Sequence, residues 1–451
     1  MSSDSGLEQQ MSKNLRKPGV SPASEQKPEH SDQGRAGWFR RLFHIVGPGV
    51  VTGASDDDPS GIGTYSQVGA QFGFNMLWTM PLTFPLMAAI QVICARIGRV
   101  TGKGIGANLR EHYPRRLLYL MVSLLLIANI LNIGADLSAM GAALQLLLPG
   151  NVAIYTTLFG VVSLLAELWI PYHRYVSVLK WLCLSLFAYV AVVFVVKIPW
   201  NTVILKTFMP TISIKSDYLT GIVAVFGTTI SPYLFFWQAS QEVEDMKASP
   251  TEQPLRAAPG QAARQWARIK ADTLLGMALS NIVAYFIILT TAVTLHAHGR
   301  TTISSATQAA EVLRPIAGQL AFALFALGII GTGLLAIPVL AGSSAYGVSE
   351  ALRLKTGLER KPLDAVGFYA VITASTVAGA VLTFLHVNPI QALFWSAVIN
   401  GVVAVPLMVV IMLMASHAVI MGKFTLSHPL KLVGWLATGV MGLTVIGMLL
   451  S

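Results

Sequence analysis

Eleven apolar stretches of roughly bilayer-spanning length follow one another along this chain, and a run of about 20 such residues is what crosses a membrane as a helix. Their approximate limits are 45–70, 75–98, 117–148, 151–170, 173–197, 219–242, 271–296, 316–350, 363–386, 389–415 and 431–450. In lipid every backbone polar group must find a partner inside its own segment or a closed barrel, so this pattern restricts the chain to an all-α membrane protein. Composition agrees: 54% of the 451 residues are hydrophobic and 12% charged, where soluble domains carry about 25% charged residues. Residues 1–37 are polar and lack apolar periodicity, which reads as a disordered tail ahead of a transmembrane domain over 38–450. No charged, apolar and small-residue series opens the chain, so no signal peptide is expected.

A formal charge of +10 would suggest nucleic acid in a soluble protein, but here the basic residues follow topology. With the N-terminus inside, the inner loops hold 18 Lys and Arg, including Arg96, Arg99, Arg110, Arg264, Arg268 and Lys361, and the outer loops hold 5. Cytoplasmic loops carry such an excess. The expectation is a multi-pass protein of the plasma (inner) membrane with its N-terminus in the cytoplasm, its C-terminus outside, and no nucleic-acid partner. Cys94 and Cys183 lie in apolar runs and offer neither a disulfide framework nor a metal motif.

Two of the spans are interrupted. The first contains "TGASDDDPSGIGT", residues 52–64, with three consecutive carboxylates at membrane depth. A central Asp costs about 2.5–3.5 kcal/mol on insertion scales and is usually functional. Pro59 removes a backbone donor, and the neighbouring glycines let the chain leave helical geometry. Non-helical backbone survives at that depth only inside protein or along a cavity, where freed carbonyls and a carboxylate make a hard-oxygen cation site. An alternative is a surface turn between two short helices; the half-bilayer apolar flanks on each side argue against it. The sixth span carries "GTTISPYLFFW", residues 227–237, broken at Ser231-Pro232. Interruptions at matching places five spans apart point to an inverted-repeat transporter with a site at the midplane. The repeats would be about 45–197 and 219–415, with 431–450 an additional helix.

Four stretches in order, "GPGVVTGASDDDPSG", "QFGFNMLW", "ARIGRVTGKGIGANLREHYP" and the small-Pro-aromatic break of span six, resemble the natural resistance-associated macrophage protein (Nramp) family of divalent-metal transporters. The similarity covers most of residues 45–415. It implies a LeuT-like fold of 11 transmembrane helices, a 5+5 inverted repeat plus one, with helices 1 and 6 broken and metal bound between the breaks. The family's Asp-Pro-Gly-Asn motif places its aspartate on Asp58, its proline on Pro59 and its asparagine on Gly61. Its Met-Pro-His motif places the sulfur ligand on Ser231 and the histidine on Tyr233, and backbone ligands are implied at Ser55 and Thr228.

The departures bear on cargo. A thioether favours soft ions; with a hydroxyl at Ser231 and no side chain at Gly61, a harder and roomier site is expected, suited to a partly hydrated magnesium ion. This pattern resembles the family's divergent magnesium-transporting branch, so Mg2+ or Mn2+ is the expected cargo, with no resident cofactor. Asp56 and Asp57 either hold outer waters or serve as entrance charges. Relatives that co-transport protons use the histidine that is Tyr233 here, together with acids of the third span, where this chain has Asp136. A phenol of pKa about 10 carries protons poorly at neutral pH, so proton coupling is not expected. Asp136 reads either as a packing hydrogen bond or as part of the ion path, and Gln238 and Asn400 either face the cavity or bond between helices.

Other functions fit less well. A proton-coupled Mn2+/Fe2+ symporter remains the alternative. A sodium-coupled organic-solute carrier of the same fold would receive a substrate carboxylate at the first break, where three acids repel it. No P-loop, nucleophile elbow or HExxH stretch indicates an enzyme. The expected partners are divalent ions and the lipid bilayer; the sequence leaves the oligomeric state open.

Overall fold

The computed structural model describes residues 52, 53, 55–170, 184–385 and 387–451. The tail at 1–37, the opening of the first span and Arg174 with the first half of the fifth lie outside them. Among the described residues every regular element is helical. Nine segments are long and apolar enough to cross a membrane, and they match nine of the eleven expected spans. The other two, the first and fifth, both run into residues outside the description.

The long helices are α1 Pro59–Phe72, α2 Thr79–Thr101, α4 Arg115–Gln145 and α5 Val152–Trp169. After the short α6 Phe187–Val192 come α8 Ser216–Thr229, α9 Pro232–Ala248 and α10 Ala262–Thr294. The chain finishes with α11 Ala321–Leu352, α12 Val366–Leu382, α13 Pro389–Ser416 and α14 His428–Leu450. Lipid-facing and core-facing stripes separate by helical spacing: on α5, Leu158, Val161, Val162 and Leu165 are exposed while Phe159, Ser163 and Ala166 are buried. Helix α4 is central and packs against α5, α11, α12 and α13.

Hydropathy did not show where helices continue past the membrane. α10 starts at Ala262, well before the expected 271, because Arg264, Arg268 and Lys270 are good helix formers whatever their polarity. Two short helices were also missed. α7, Trp200–Phe208, leaves Ile204, Leu205 and Phe208 exposed, as an amphipathic helix lying at an interface does. α3, Ile105–His112, comes from the "GKGIGANLREHYP" stretch. The Glu350 carboxylate accepts from the Ala107 amide at 3.0 Å in its first turn, and Arg110 donates to the Glu350 carbonyl. α3 therefore binds the end of α11 on the Lys/Arg-rich side.

Close backbone approach sets the helices around the breaks. Gly227 of α8 faces α13 so tightly that a Cβ would lie 2.0 Å from the Ala397 carbonyl oxygen. Gly53 meets α10 in the same way, its would-be Cβ 2.3 Å from the Gly276 oxygen. Only glycine allows either contact.

Candidate metal centre at the two helix breaks

The chain is helical at Thr52–Gly53 and Ser55–Asp56, bends at Asp57 and is extended at Asp58. α1 then begins with Pro59 at its first position, where a missing N–H costs nothing. Asp58 is the N-cap, accepting from the Gly61 amide at 2.7 Å through Oδ1. Its other oxygen, Oδ2, accepts from the Asn132 amide of α4 at 2.9 Å and lies 3.5 Å from the Tyr233 phenol of α9. The second break repeats the design: α8 ends at Thr229, Ile230 leaves helical geometry, and Pro232 opens α9 behind an extended Ser231.

Tyr233 links the two breaks. Its hydroxyl donates to the Ser55 carbonyl at 3.0 Å, so Asp58, Ser55 and Tyr233 converge on one point. Ser343 of α11 donates to the Tyr233 carbonyl at 2.9 Å and holds that turn in place. Ser231 turns away: its hydroxyl lies 2.7 Å from the Thr228 carbonyl oxygen and 2.9 Å from the Gly227 carbonyl oxygen and donates to one of them at a time. The two candidates at this break are thus linked, since the hydroxyl caps the carbonyl that would ligate an ion. All of these side chains are buried.

Gly61 corrects one expectation. The space left by an asparagine side chain is not open, because a Cβ there would lie 3.1 Å from the Thr228 hydroxyl and 3.3 Å from the Tyr65 ring. The pocket is no roomier there; an aromatic ring from the next turn of α1 has filled it.

The three consecutive carboxylates do not act together. Successive residues at a helix end point in different directions, and while Asp58 faces α4 and α9, Asp56 and Asp57 face α10. There Ser280 Oγ lies 2.7 Å from Asp56 Oδ2 and 3.0 Å from Asp57 Oδ1. Among the described residues no three His, Cys, Asp or Glu side chains surround a common point. Where the two breaks meet, the charged group is one carboxylate, Asp58, beside neutral oxygens.

Asn132 was missed in the sequence. The available signal was its place one turn before Asp136 on the buried face of α4, where polar residues are few. Asp136 itself is fully buried and faces the first turn of α1, where the Ser60 amide is the donor that acts on it. Gln238 accepts from Thr52 at 2.6 Å and joins the first half-helix to α9. Asn400 is buried with its carbonyl oxygen unpaired.

Access differs on the two sides. Beyond α1, toward the Lys/Arg-poor side, Ile62, Ser66, Ala139, Ile303, Phe325 and Leu393 enclose a void of only about 10 Å³. On the opposite side a cleft of about 700 Å³ opens between α3, α9 and α11, lined by Arg110, Ser240, Glu244, Tyr346 and Glu350. Tyr346, which lines that cleft, packs edge to face with the buried Trp237 at 6.4 Å.

Residues 49–451 match the family described as natural resistance-associated macrophage protein-like. The chain belongs to this family. Among relatives, it is 29% identical to the divalent metal cation transporter MntH of Mesorhizobium japonicum over 308 residues, covering 66% of this chain and 65% of that one. The match thus spans just under two thirds of that relative's length. It is 24% identical to the MntH of Klebsiella pneumoniae over 419 residues, 90% of this chain and 95% of the relative. A manganese transporter from Eremococcus coleocola superposes with a TM-score of 0.70 at 17% identity, over 94% of this chain and 88% of the other. Mhp1, a nucleobase-cation-symport-1 family transporter in a closed conformation, superposes at 0.59 with 15% identity, over 90% and 91% of the two chains. The fold of this integral membrane protein is LeuT-like, with helices 1 and 6 broken as expected.

Proposed function

We propose that this chain carries divalent metal ions across the membrane by alternating access, with Mg2+ or Mn2+ as cargo and without stoichiometric proton movement. The observation that carries the reading is the convergence of Asp58, the Ser55 carbonyl and Tyr233 between the two breaks. Thr228 and Ser231 complete an all-oxygen donor set once the Ser231 hydroxyl turns from the carbonyl it caps. Oxygen donors suit hard ions, and the names of the MntH relatives support a divalent cation. The unequal access on the two sides fits a carrier closed toward the outside, with its N-terminus in the cytoplasm of the cell and its cleft facing inward.

Uptake into proteoliposomes, comparing magnesium, manganese, calcium and iron while recording lumen pH, tests this directly. Metal entry without acidification is expected, because a phenol occupies the histidine position. A second reading, a proton-coupled manganese or iron symporter, is favoured by the buried carboxylate of Asp136, near enough to Asp58 for the two acids to act on each other. Stoichiometric proton entry that disappears in Asp136→Asn would establish it and sink the uncoupled reading.

Cargo preference has its own test. Ser231→Met restores a thioether to the second break and is expected to lower the magnesium-to-cadmium uptake ratio by about tenfold, equivalent to about 1.4 kcal/mol of differential affinity. An unchanged ratio in protein that still moves metal would place selectivity elsewhere. Adding Gly61→Asn is not expected to help, since its Cβ would press on Thr228 and Tyr65.

A further inference from the structure

The oxygens gathered at the two breaks fall short of what a small hard cation takes, about six in an octahedron. Asp58 Oδ1 is engaged by the Gly61 amide, so the carboxylate presents Oδ2. The Tyr233 hydroxyl lies 3.5 Å from it and 3.0 Å from the Ser55 carbonyl, and the Ser231 hydroxyl is turned back on its own helix. A further polar group reaches Oδ2 from α4. Asn132 is fully buried, and its Nδ2 donates to Asp58 Oδ2 at 2.9 Å. Its Oδ1 is buried as well and has no hydrogen-bond partner among the described residues.

An amide carries its oxygen and nitrogen on one flat fork, and half a turn about the last side-chain torsion exchanges them. Turned so, Oδ1 would stand where Nδ2 is now, against Asp58 Oδ2. That spacing is the one a hard ion needs: two oxygens at right angles, each about 2.0–2.1 Å from magnesium, lie about 2.9 Å apart. The Tyr233 hydroxyl and the Ser55 carbonyl keep nearly the same separation, 3.0 Å. The displaced N–H needs an acceptor, and Asp136 follows one turn on along the same buried face of α4. Asn129, three residues earlier, shows what a packing amide looks like there. It also leaves its oxygen unpaired, but its nitrogen is bonded to neutral groups of α11, the Leu340 carbonyl and the Ser344 hydroxyl, each at 3.0 Å.

We propose that Asn132 is a ligand of the transported ion, its amide turning so that Oδ1 binds the cation beside Asp58 Oδ2. A neutral amide oxygen adds neither charge nor softness, so it favours hard divalent ions over cadmium-like ones. It also draws a third helix into a shell otherwise built from the two breaks. The inference rests on the divalent-cargo reading and on the Asp58 centre, and it assigns to that centre a donor that neither break supplies.

The test is cobalt(II) absorption by the full-length protein in detergent, since a cysteine thiolate bound to cobalt gives a near-ultraviolet charge-transfer band that oxygen ligands do not. Asn132→Cys is expected to gain this band over the wild type, which has Cys94 and Cys183, and to lose it when Asp58→Ala is added. Asn129→Cys is expected to gain none. Cobalt bound by Asn132→Cys without the band, or an equal band in Asn129→Cys, would overturn the proposal. Should Asn132→Cys not fold or not take up cobalt, manganese affinity decides, read from the free-ion electron paramagnetic resonance signal. Asn132→Leu removes the oxygen and is expected to weaken binding by about tenfold or more, whereas Asn132→Asp keeps an oxygen in place and is expected to hold or raise it. Equal weakening by both would mean that Asn132 serves through its N–H alone, and unchanged affinity in both that it takes no part; either overturns the proposal with the Asp58 centre intact. Binding undiminished by Asp58→Ala, or none in the wild type, would overturn the centre itself and the proposal with it.

Discussion

Asp58→Ala is expected to remove the ion held between the two breaks and to stop uptake, while the protein still purifies as a folded species. The substitution takes away the single carboxylate at that centre, leaving carbonyl and hydroxyl oxygens that carry no net charge. Its structural cost is modest by comparison. Losing the N-cap bond to Gly61 costs about 1 kcal/mol, against which stands relief from holding a carboxylate in a buried site. Asp58→Asn separates the two effects, because asparagine caps as well as aspartate but brings no charge. Uptake measured in vesicles, beside circular dichroism melting of the same preparations, gives the answer. Wild-type transport by a folded Asp58→Ala protein would refute the assignment of the centre.

The other large effect is expected at a residue that touches no ion. Gly227→Ala should sharply lower the yield and melting temperature of folded protein, at or above the upper end of the about 1–3 kcal/mol typical of overpacking. The obstacle is the Ala397 carbonyl, 2.0 Å from the added carbon, and backbone cannot rotate away as a side chain can. α8 would have to move off α13, carrying the second break with it. Gly439→Ala in α14 is the control, since nothing lies within 4 Å of its would-be Cβ; a change within about 0.5 kcal/mol is expected there. Equal behaviour of the two variants would show that α8 is free to shift.

Much of this architecture was legible from the chain because a bilayer imposes so strict a rule on apolar runs, and because Pro59 and Pro232 mark the breaks in their own residue types. The convergence of Asp58 with Ser55 and Tyr233 needed only position along the two broken spans. What escaped depends on rotation about helix axes and on packing. Whether Asp56 and Asp57 share the direction of Asp58 is a question of 100° steps at a frayed helix end. Whether the room beside Gly61 is vacant depends on a ring four residues further on. Asn132 gave no local signal beyond polarity, and α3 and α7 are too short and mixed for a hydropathy window. The helical start of α10 was hidden for the opposite reason, since charge ends an apolar run without ending a helix.

The bond from Tyr233 to the Ser55 carbonyl ties the two half-helix ends to each other through a single hydrogen atom. Pro59, four residues beyond Ser55, has no N–H to offer that carbonyl, so the phenol of the second break supplies a donor that the first break removed. Each interruption is thus completed from the other, and a change that displaces one break is felt at its counterpart.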